Sequence, residues 1–354
     1  MPSKSSVPLD VLRRFAPGTP LRDAVELILR QGSGALIVVG AGSEVEGVSS
    51  GGFRLDAAPF TAQRIAELAK MDGGIVVDEE NDAITAANVH FIPDPTIRTD
   101  ETGTRFRTAE RLALQTGRPV LAVSEEGTRY AVVYTGGDRF ALQEPTSLLA
   151  EANQRLQSLE RLRRQLDEAE GRLTRYEIDD VVMLRDAVVV IQRGALILRL
   201  LSDLETIAVE LGDEAMLIRI QASDLVAGVE LLTELVNYDY QRRRPRKGYS
   251  VFSKVDELDN EDLYHTQEVA QVLGLTPLDE EVHPRGARAL AGVPRLPAPV
   301  RDALINQFGT LQRLLDAPVD QLSQVEGVGT VRARQIRTYL DRLHDVRLVS
   351  DLED

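Results

Sequence analysis

Ala35-Leu36-Ile37-Val38-Val39-Gly40 is the stretch that decides the fold class. Five apolar residues, three of them β-branched, end at a glycine. The run is too short for a helix and lacks the alternation of a half-exposed strand, so it reads as a strand buried on both faces. Just upstream, Thr19-Pro20 reads as an N-cap followed by proline at the first helical position, opening a helix over residues 21–30 with Leu21, Val25, Leu27 and Ile28 on its apolar side. The alternation continues outward. A helix is expected over 61–70, strands over 74–77 and 83–91, a helix over 108–115 stopped by Gly117, and strands over 119–124 and 130–134. Residues 1–145 are therefore expected to form an α+β domain with an α/β-like mixed sheet, of a topology the pattern leaves open.

Beyond Pro145 the periodicity changes. Residues 147–176 carry Leu148, Ala152, Leu156, Leu159, Leu162, Leu166, Ala169 and Leu173 at three-to-four spacing with charges between them, which predicts an amphipathic helix of about eight turns. Leu- and Val-rich helical patterning runs on through residues 181–240. Residues 146–284 are expected to be an all-α linker domain, with leucine stripes suited to self-association.

Residues 285–354 read as a third domain, punctuated by Gly292-Val293-Pro294-Arg295-Leu296-Pro297 and by Gly327-Val328-Gly329. Leu322-Ser323-Gln324-Val325-Glu326 precedes the second glycine pair, and a helix over 330–343 bearing Arg332, Arg334 and Arg337 follows it. The pattern resembles a helix-hairpin-helix motif, with the Gly292 turn as a degenerate partner of the Gly327 turn. Glycines let the backbone approach a phosphate, and the following helix N-terminus offers free N–H groups and a positive dipole end. Gly292, Val293, Gly327, Val328, Gly329, Arg332 and Arg334 are the expected DNA-binding residues. Backbone contacts of this kind predict binding that is independent of base sequence and sensitive to salt.

Composition narrows the function classes. The 354 residues hold no cysteine, which excludes disulfides, thiolate metal sites and cysteine nucleophiles. His90, His265, His283 and His344 are the only histidines, and none are spaced as metal ligands on one helix. A net charge of −15 argues against nucleic acid wrapped along the whole body, whereas the C-terminal 70 residues are near neutral with arginine as their only basic residue. The richest apolar run, residues 181–201, is interrupted by Arg185, Asp186, Arg193 and Arg199, so no membrane span is expected. The polar start Met1-Pro2-Ser3-Lys4-Ser5-Ser6 lacks a signal-peptide core, and a cytoplasmic location is the expectation. The basic cluster Arg242-Arg243-Arg244-Pro245-Arg246-Lys247 reads first as a solvated loop. Residues 40–47, glycine-rich but without a phosphate-loop lysine, read as a surface turn.

Two segments of the first domain carry chemistry. Met71-Asp72-Gly73-Gly74-Ile75 stands at a helix-to-strand junction, and Asp100-Glu101-Thr102-Gly103-Thr104-Arg105-Phe106-Arg107-Thr108 reads as a small-residue turn feeding a helix. The second offers two guanidiniums and two hydroxyls beside free backbone N–H groups, which suits a polyphosphate as well as it suits a plain N-cap with solvent-facing arginines. Asp72 among glycines is placed to hold a divalent ion or an attacking hydroxyl.

The pair Asp72-Gly73-Gly74 and Gly103-Thr104-Arg105-Phe106-Arg107-Thr108-Ala109-Glu110-Arg111 resembles the DGA and GTRHRTAER motifs of diadenylate cyclase domains. With Asn88-Val89-His90-Phe91-Ile92-Pro93-Asp94-Pro95, the helical linker and the C-terminal motif, nearly the whole chain resembles the bacterial DNA integrity scanning family, DisA. The resemblance implies synthesis of cyclic di-AMP from two ATP molecules, assisted by Mg²⁺ or Mn²⁺, by paired cyclase domains in a homo-octamer, coupled to binding of branched or damaged DNA in genome surveillance and repair. It implies Asp72, Arg105 and Arg107 as catalytic residues, Asp72 also holding the metal. ATP would be bound by Gly73, Gly74, Phe91, Thr104, Arg105, Phe106, Arg107, Thr108 and Ser124. Three positions depart from the motif: Gly74 replaces Ala, Phe91 replaces Leu and Phe106 replaces His. If the histidine acted through its ring, its loss would remove about 2–4 kcal/mol of transition-state stabilisation; if through its backbone N–H, activity survives. A second reading is therefore a DNA-binding scaffold or nucleotide sensor whose cyclase site has decayed through Phe106, a decay not expected to spare Asp72 and both arginines.

Overall fold

The computed structural model describes residues 8–80, 82–125, 130–242 and 249–350, with side chains for these except residues 57 and 344–350. The Met1–Ser6 start and residues 243–247 of the basic cluster lie outside the described residues.

The chain opens with α1 (Leu9–Arg14), α2 (Pro20–Gln31), β1 (Ala35–Val39), α3 (Ser43–Glu46), β2 (Ser49–Ser50), β3 (Phe53–Pro59), α4 (Ala62–Leu68), β4 (Gly74–Asp78) and β5 (Ala83–Phe91). Then come α5 (Thr104–Thr116), β6 (Val120–Val123), β7 (Ala131–Thr135) and β8 (Asp138–Leu142). Eight strands among the described residues form one sheet in the order β2-β5-β4-β1-β6-β7-β8, with β3 also pairing β5. The pair β1–β4 is parallel and the other pairs are antiparallel, so the sheet is mixed as expected.

Why β1 is apolar throughout follows from its two covered faces. Ala35, Ile37 and Val39 join Leu21, Val25 and Ile28 of α2 and Ile65 of α4 in one core. Val38 points the other way, into a second core with Phe106, Ala109, Leu112 and Ala113 of α5. The Thr19 hydroxyl caps α2 by accepting the Arg22 N–H, and Gly117 ends α5 in the left-handed region at φ 67°. The structure corrects one boundary. Helix α5 starts at Thr104, not residue 108, because Gly103 serves as its N-cap and Thr104-Arg105-Phe106-Arg107 is its first turn.

After the sheet the chain is helical: α6 (Pro145–Asp179), α7 (Leu184–Leu211), a 3-10 turn Gly212–Ala215, α8 (Met216–Val226) and α9 (Val229–Tyr240). Next are α10 (Phe252–Val255), α11 (Asn260–Leu263), α12 (Thr266–Leu273), α13 (Ala287–Ala291), α14 (Ala298–Phe308), α15 (Leu311–Asp316), α16 (Val319–Ser323) and α17 (Thr330–Ser350). The chain divides into two compact units, residues 1–154 with 204–220, and residues 155–203 with 221–354. The sheet belongs to the first. In the second, a core of Leu290, Leu304, Ile305, Leu314, Leu322, Ala333, Ile336 and Leu340 holds α13–α17 together. No helix among the described residues is long and apolar enough to cross a membrane.

Candidate active site

A cavity of about 510 Å³ opens in the first unit where β1 and β4 begin and β5 ends, with the first turn of α5 as one wall. Its lining includes Asp72, Gly73, Gly74, Phe91, Thr104, Arg105, Phe106 and Thr108, eight residues singled out in the sequence. It also includes His90 of the 88–95 segment, and Gly34 and Glu125, which the sequence reading did not name. Arg107 and Ser124 do not line it. Arg107 is exposed on the first turn of α5, and Ser124 is 8% exposed, its hydroxyl accepting the Tyr130 N–H at 3.0 Å. Ser124 is thus used within the β6–β7 connection.

Asp72 stands on the short connection from α4 to β4, exposed at the cavity, with no hydrogen-bond or ion-pair partner among the described residues. Close backbone approach sets that connection. Asn88 sits at φ 52° where the β4–β5 register shifts, an insertion of bulge type, and a Cβ on Gly73 would come within 2.6 Å of the Asn88 Cα. Only glycine at position 73 leaves Asp72 where it is.

Across the cavity, Gly103 at φ 79° offers no side chain to cap α5, so the first-turn N–H groups are left for a ligand. The hydroxyls of Thr104 and Thr108 likewise have no partner among the described residues. The Arg105 guanidinium lies over Gly34, where a Cβ would collide with it, and donates to Glu125 Oε2 at 3.1 Å. A free helix N-terminus, a guanidinium and two hydroxyls on one cavity form a site for a polyanion. Phe106, at the position of the motif histidine, turns its ring into the core at 8% exposure and stacks on Tyr130 with centroids 4.9 Å apart and planes 15° apart. Its ring donates nothing to the cavity; its backbone N–H belongs to the open first turn.

The rest of the signature segment is scaffold. Arg111 donates to the carbonyls of Ile97 and Pro95 at 2.9 and 3.0 Å, Glu110 accepts the Thr99 hydroxyl, and Glu101 accepts Arg139 Nε at 2.6 Å. These bonds tie the loop between β5 and α5 to the helix and to β8, and so fix where Gly103 presents the first turn.

No group of three or more His, Cys, Asp or Glu among the described residues could cage a metal. The donor set at this cavity, one unpartnered carboxylate facing a polyanion site, nevertheless fits a hard divalent ion. Such an ion takes one or two protein carboxylates and completes its shell with phosphate oxygens and water.

In the second unit the two C-terminal turns repeat one backbone. Leu290, Val293, Leu296 and Leu304 match Leu322, Val325, Val328 and Ile336. The hydrogen bonds Val293 N–H to Leu290 O and Leu296 N–H to Val293 O recur as Val325 to Leu322 and Val328 to Val325. In this register Gly327, at φ 78°, corresponds to Arg295 at φ 57°, not to Gly292. Gly292 is right-handed at φ −75° and sits against the Tyr339 hydroxyl. Pairing the turns by glycine failed because an arginine holds the left-handed position of the first. Val293 and Val328 are each 4% exposed and packed in the core, leaving only their backbones for a ligand. Arg332 bonds back to the Gly327 carbonyl, Arg334 is exposed, and Arg337 is committed to Asp341 and the Leu315 and Ala317 carbonyls.

Comparison with known proteins accords with this geometry. Residues 22–137 match the family model for the DisA bacterial checkpoint controller nucleotide-binding domain (DAC), and residues 142–281 match that for the DisA linker region. The DNA integrity scanning protein DisA of Acidothermus cellulolyticus is 47% identical over 94% of this chain and 92% of its own. Those of Parafrankia sp. and Kineococcus radiotolerans are each 45% identical, over 94% and 97% of this chain and of their own lengths. The chain belongs to the DisA family, and it is a diadenylate cyclase.

Proposed function

We propose that this chain condenses two ATP molecules into cyclic di-AMP, releasing two pyrophosphates, and that its C-terminal helices connect the reaction to DNA. The observation that carries the reading is the meeting of Asp72, Arg105 and the uncapped start of α5 on one cavity. The triphosphate lies along the first turn of α5, its oxygens accepting from the backbone, from the Thr104 and Thr108 hydroxyls and from Arg105. Gly73 and Gly74 admit the nucleotide close to the backbone, Phe91 lines the base side, and Phe106 contributes its N–H. Asp72 orients the 3′-hydroxyl and would hold Mg²⁺ or Mn²⁺; the ion, when bound, would supply Lewis-acid neutralisation of phosphate charge.

One cavity of this size takes one nucleotide, so ring closure brings two protomers face to face. The 3′-hydroxyl oxygen of each ATP forms a bond to the other's α-phosphorus. The bond from that phosphorus to the bridging oxygen breaks, pyrophosphate leaves, and the hydroxyl proton passes to water. Most of the acceleration comes from holding the two nucleotides in line and neutralising charge. Arg107, exposed beside the cavity, is left with the facing protomer's nucleotide as its partner. Paired cyclase domains of this kind are consistent with a homo-octamer.

The three-part organisation proposed is a cyclase domain over 1–145, a linker over 146–284 and a helix-hairpin-helix domain over 285–354. In the last, the N–H groups of Gly327, Val328 and Gly329 and the exposed Arg334 engage the DNA backbone, with the Arg295 turn as the second contact; Arg332 supports the Gly327 turn. Such a protein works on branched or damaged DNA in the cytoplasm, at the nucleoid. The reading of a decayed, non-catalytic scaffold is not favoured, since Phe106 leaves Asp72 and Arg105 on one cavity.

Incubation with ATP and Mn²⁺ or Mg²⁺ should yield cyclic di-AMP from the native chain and none above background from Asp72→Asn. Equal yields from both would overturn the assignment of Asp72.

A further inference from the structure

Two of the departures from the motif are one structural event. Gly74 pairs with Val89 of β5, and the ring of Phe91, two residues farther along that strand, lies diagonally over Gly74; both residues line the cavity. A Cβ built on Gly74 would stand 3.0 Å from Phe91 Cζ and nearer still to the Cδ2 and Cε2 edge. The ring therefore occupies the volume that any side chain at position 74 would need. Phe91 is 7% exposed and packed with Val48, Val89, Phe106 and Ala109, so those neighbours block its retreat into the core. The cavity is its open side.

We infer that Gly74 and Phe91 act as a coupled pair that sets the base-binding wall of the nucleotide site, with Phe91 as the specificity-determining residue and Gly74 as the space that lets its ring lie flat. This rests on the ATP-site reading above and adds to it a defined interdependence. A methyl at position 74 pushes the ring toward the cavity, where it takes up room for the adenine. The phosphate half, built from α5 and Arg105, is carried on other elements and is not disturbed. A smaller side chain at position 91 removes the collision, so the second substitution undoes the first.

The test compares Gly74→Ala, Phe91→Leu and the double variant in the full-length protein, measuring equilibrium binding of ATP and of inorganic tripolyphosphate with Mg²⁺ present. Tripolyphosphate offers the phosphates without the base. The expected result is at least a ten-fold loss of ATP affinity in Gly74→Ala, unchanged tripolyphosphate binding, and recovery of ATP binding to within about three-fold of native in the double variant. Phe91→Leu alone, which removes part of the wall and opens no clash, should weaken ATP only a few-fold. Loss of both ligands in Gly74→Ala, unaltered ATP binding, or failure of Phe91→Leu to rescue would each overturn the coupling. Failure of the native protein to bind either ligand would instead sink the ATP-site reading itself.

Discussion

Gly34→Ala separates catalysis from stability. Gly34 precedes β1, lies outside the left-handed region, and is covered by the Arg105 guanidinium, which a Cβ would displace. Alanine fits the backbone there and restricts the unfolded chain, a change that stabilises by about 0.4–1 kcal/mol. The obstructed group is the far end of a flexible side chain, so it swings away and the fold persists. What is lost is one charge-assisted contact to phosphate, about 1.5–3 kcal/mol. At about 1.4 kcal/mol per factor of ten, kcat/KM for cyclic di-AMP synthesis should fall roughly 10- to 150-fold. The assay pairs initial rates over a range of ATP concentrations with thermal unfolding, and Arg105→Lys serves as the comparison because an ammonium loses the planar fork. A native rate in Gly34→Ala with an equal or higher melting temperature would refute the placement of Arg105 over the phosphates.

Glu125, 61% exposed and bonded to Arg105, competes with phosphate, so Glu125→Gln should lower KM for ATP, by at most about five-fold given the small energy of exposed pairs; an increased KM would contradict this. Burial, reinforced by the nearby Glu177 carboxylate, pushes the fully buried Asp239 up to about 7. Between its unfolded value and that one the folded chain holds a proton the unfolded chain lacks, so its contribution to stability declines as pH rises from about 4 to about 7. Denaturant titrations should show that decline in the native protein and a flatter profile in Asp239→Asn. Gly329→Val, which crowds the N-terminus of α17, should weaken DNA binding roughly ten-fold and lessen its salt dependence, measured by fluorescence anisotropy at two ionic strengths. Undiminished affinity would remove that turn from the DNA contact.

The elements that could be read from the sequence are those with a local cause. Strands β1 and β5 fall on residues 35–39 and 83–91 as expected, β1 because covering both its faces demands an unbroken apolar run, β5 because Ile84, Ala87, Val89 and Phe91 are buried along it. The long α6 follows from its three-to-four leucine spacing. Asp72 and Arg105 were legible as motif residues. Gly34 was not, because its importance exists only once α5 has been laid beside the start of β1. The Asn88 insertion was hidden for the same reason: an asparagine inside a β-branched strand pattern gives no sign of a left-handed backbone. Ser124 and Arg107 were named for phosphate by the resemblance; their burial and exposure, which no motif spells out, place Ser124 against the Tyr130 N–H and Arg107 on the outer face of α5's first turn. At the C-terminus glycine spacing misled, since Arg295 adopts the conformation that glycine marks in the second turn.

The most direct test of the central claim is a crystal structure of the protein with 3′-deoxy-ATP and Mg²⁺, in which the missing nucleophile leaves the nucleotide intact. The account predicts phosphate oxygens within hydrogen-bond distance of Arg105, Thr104, Thr108 and the first-turn N–H groups of α5, with the ion on Asp72. A triphosphate bound elsewhere, or bound here with Asp72 and Arg105 both turned to solvent, would contradict it.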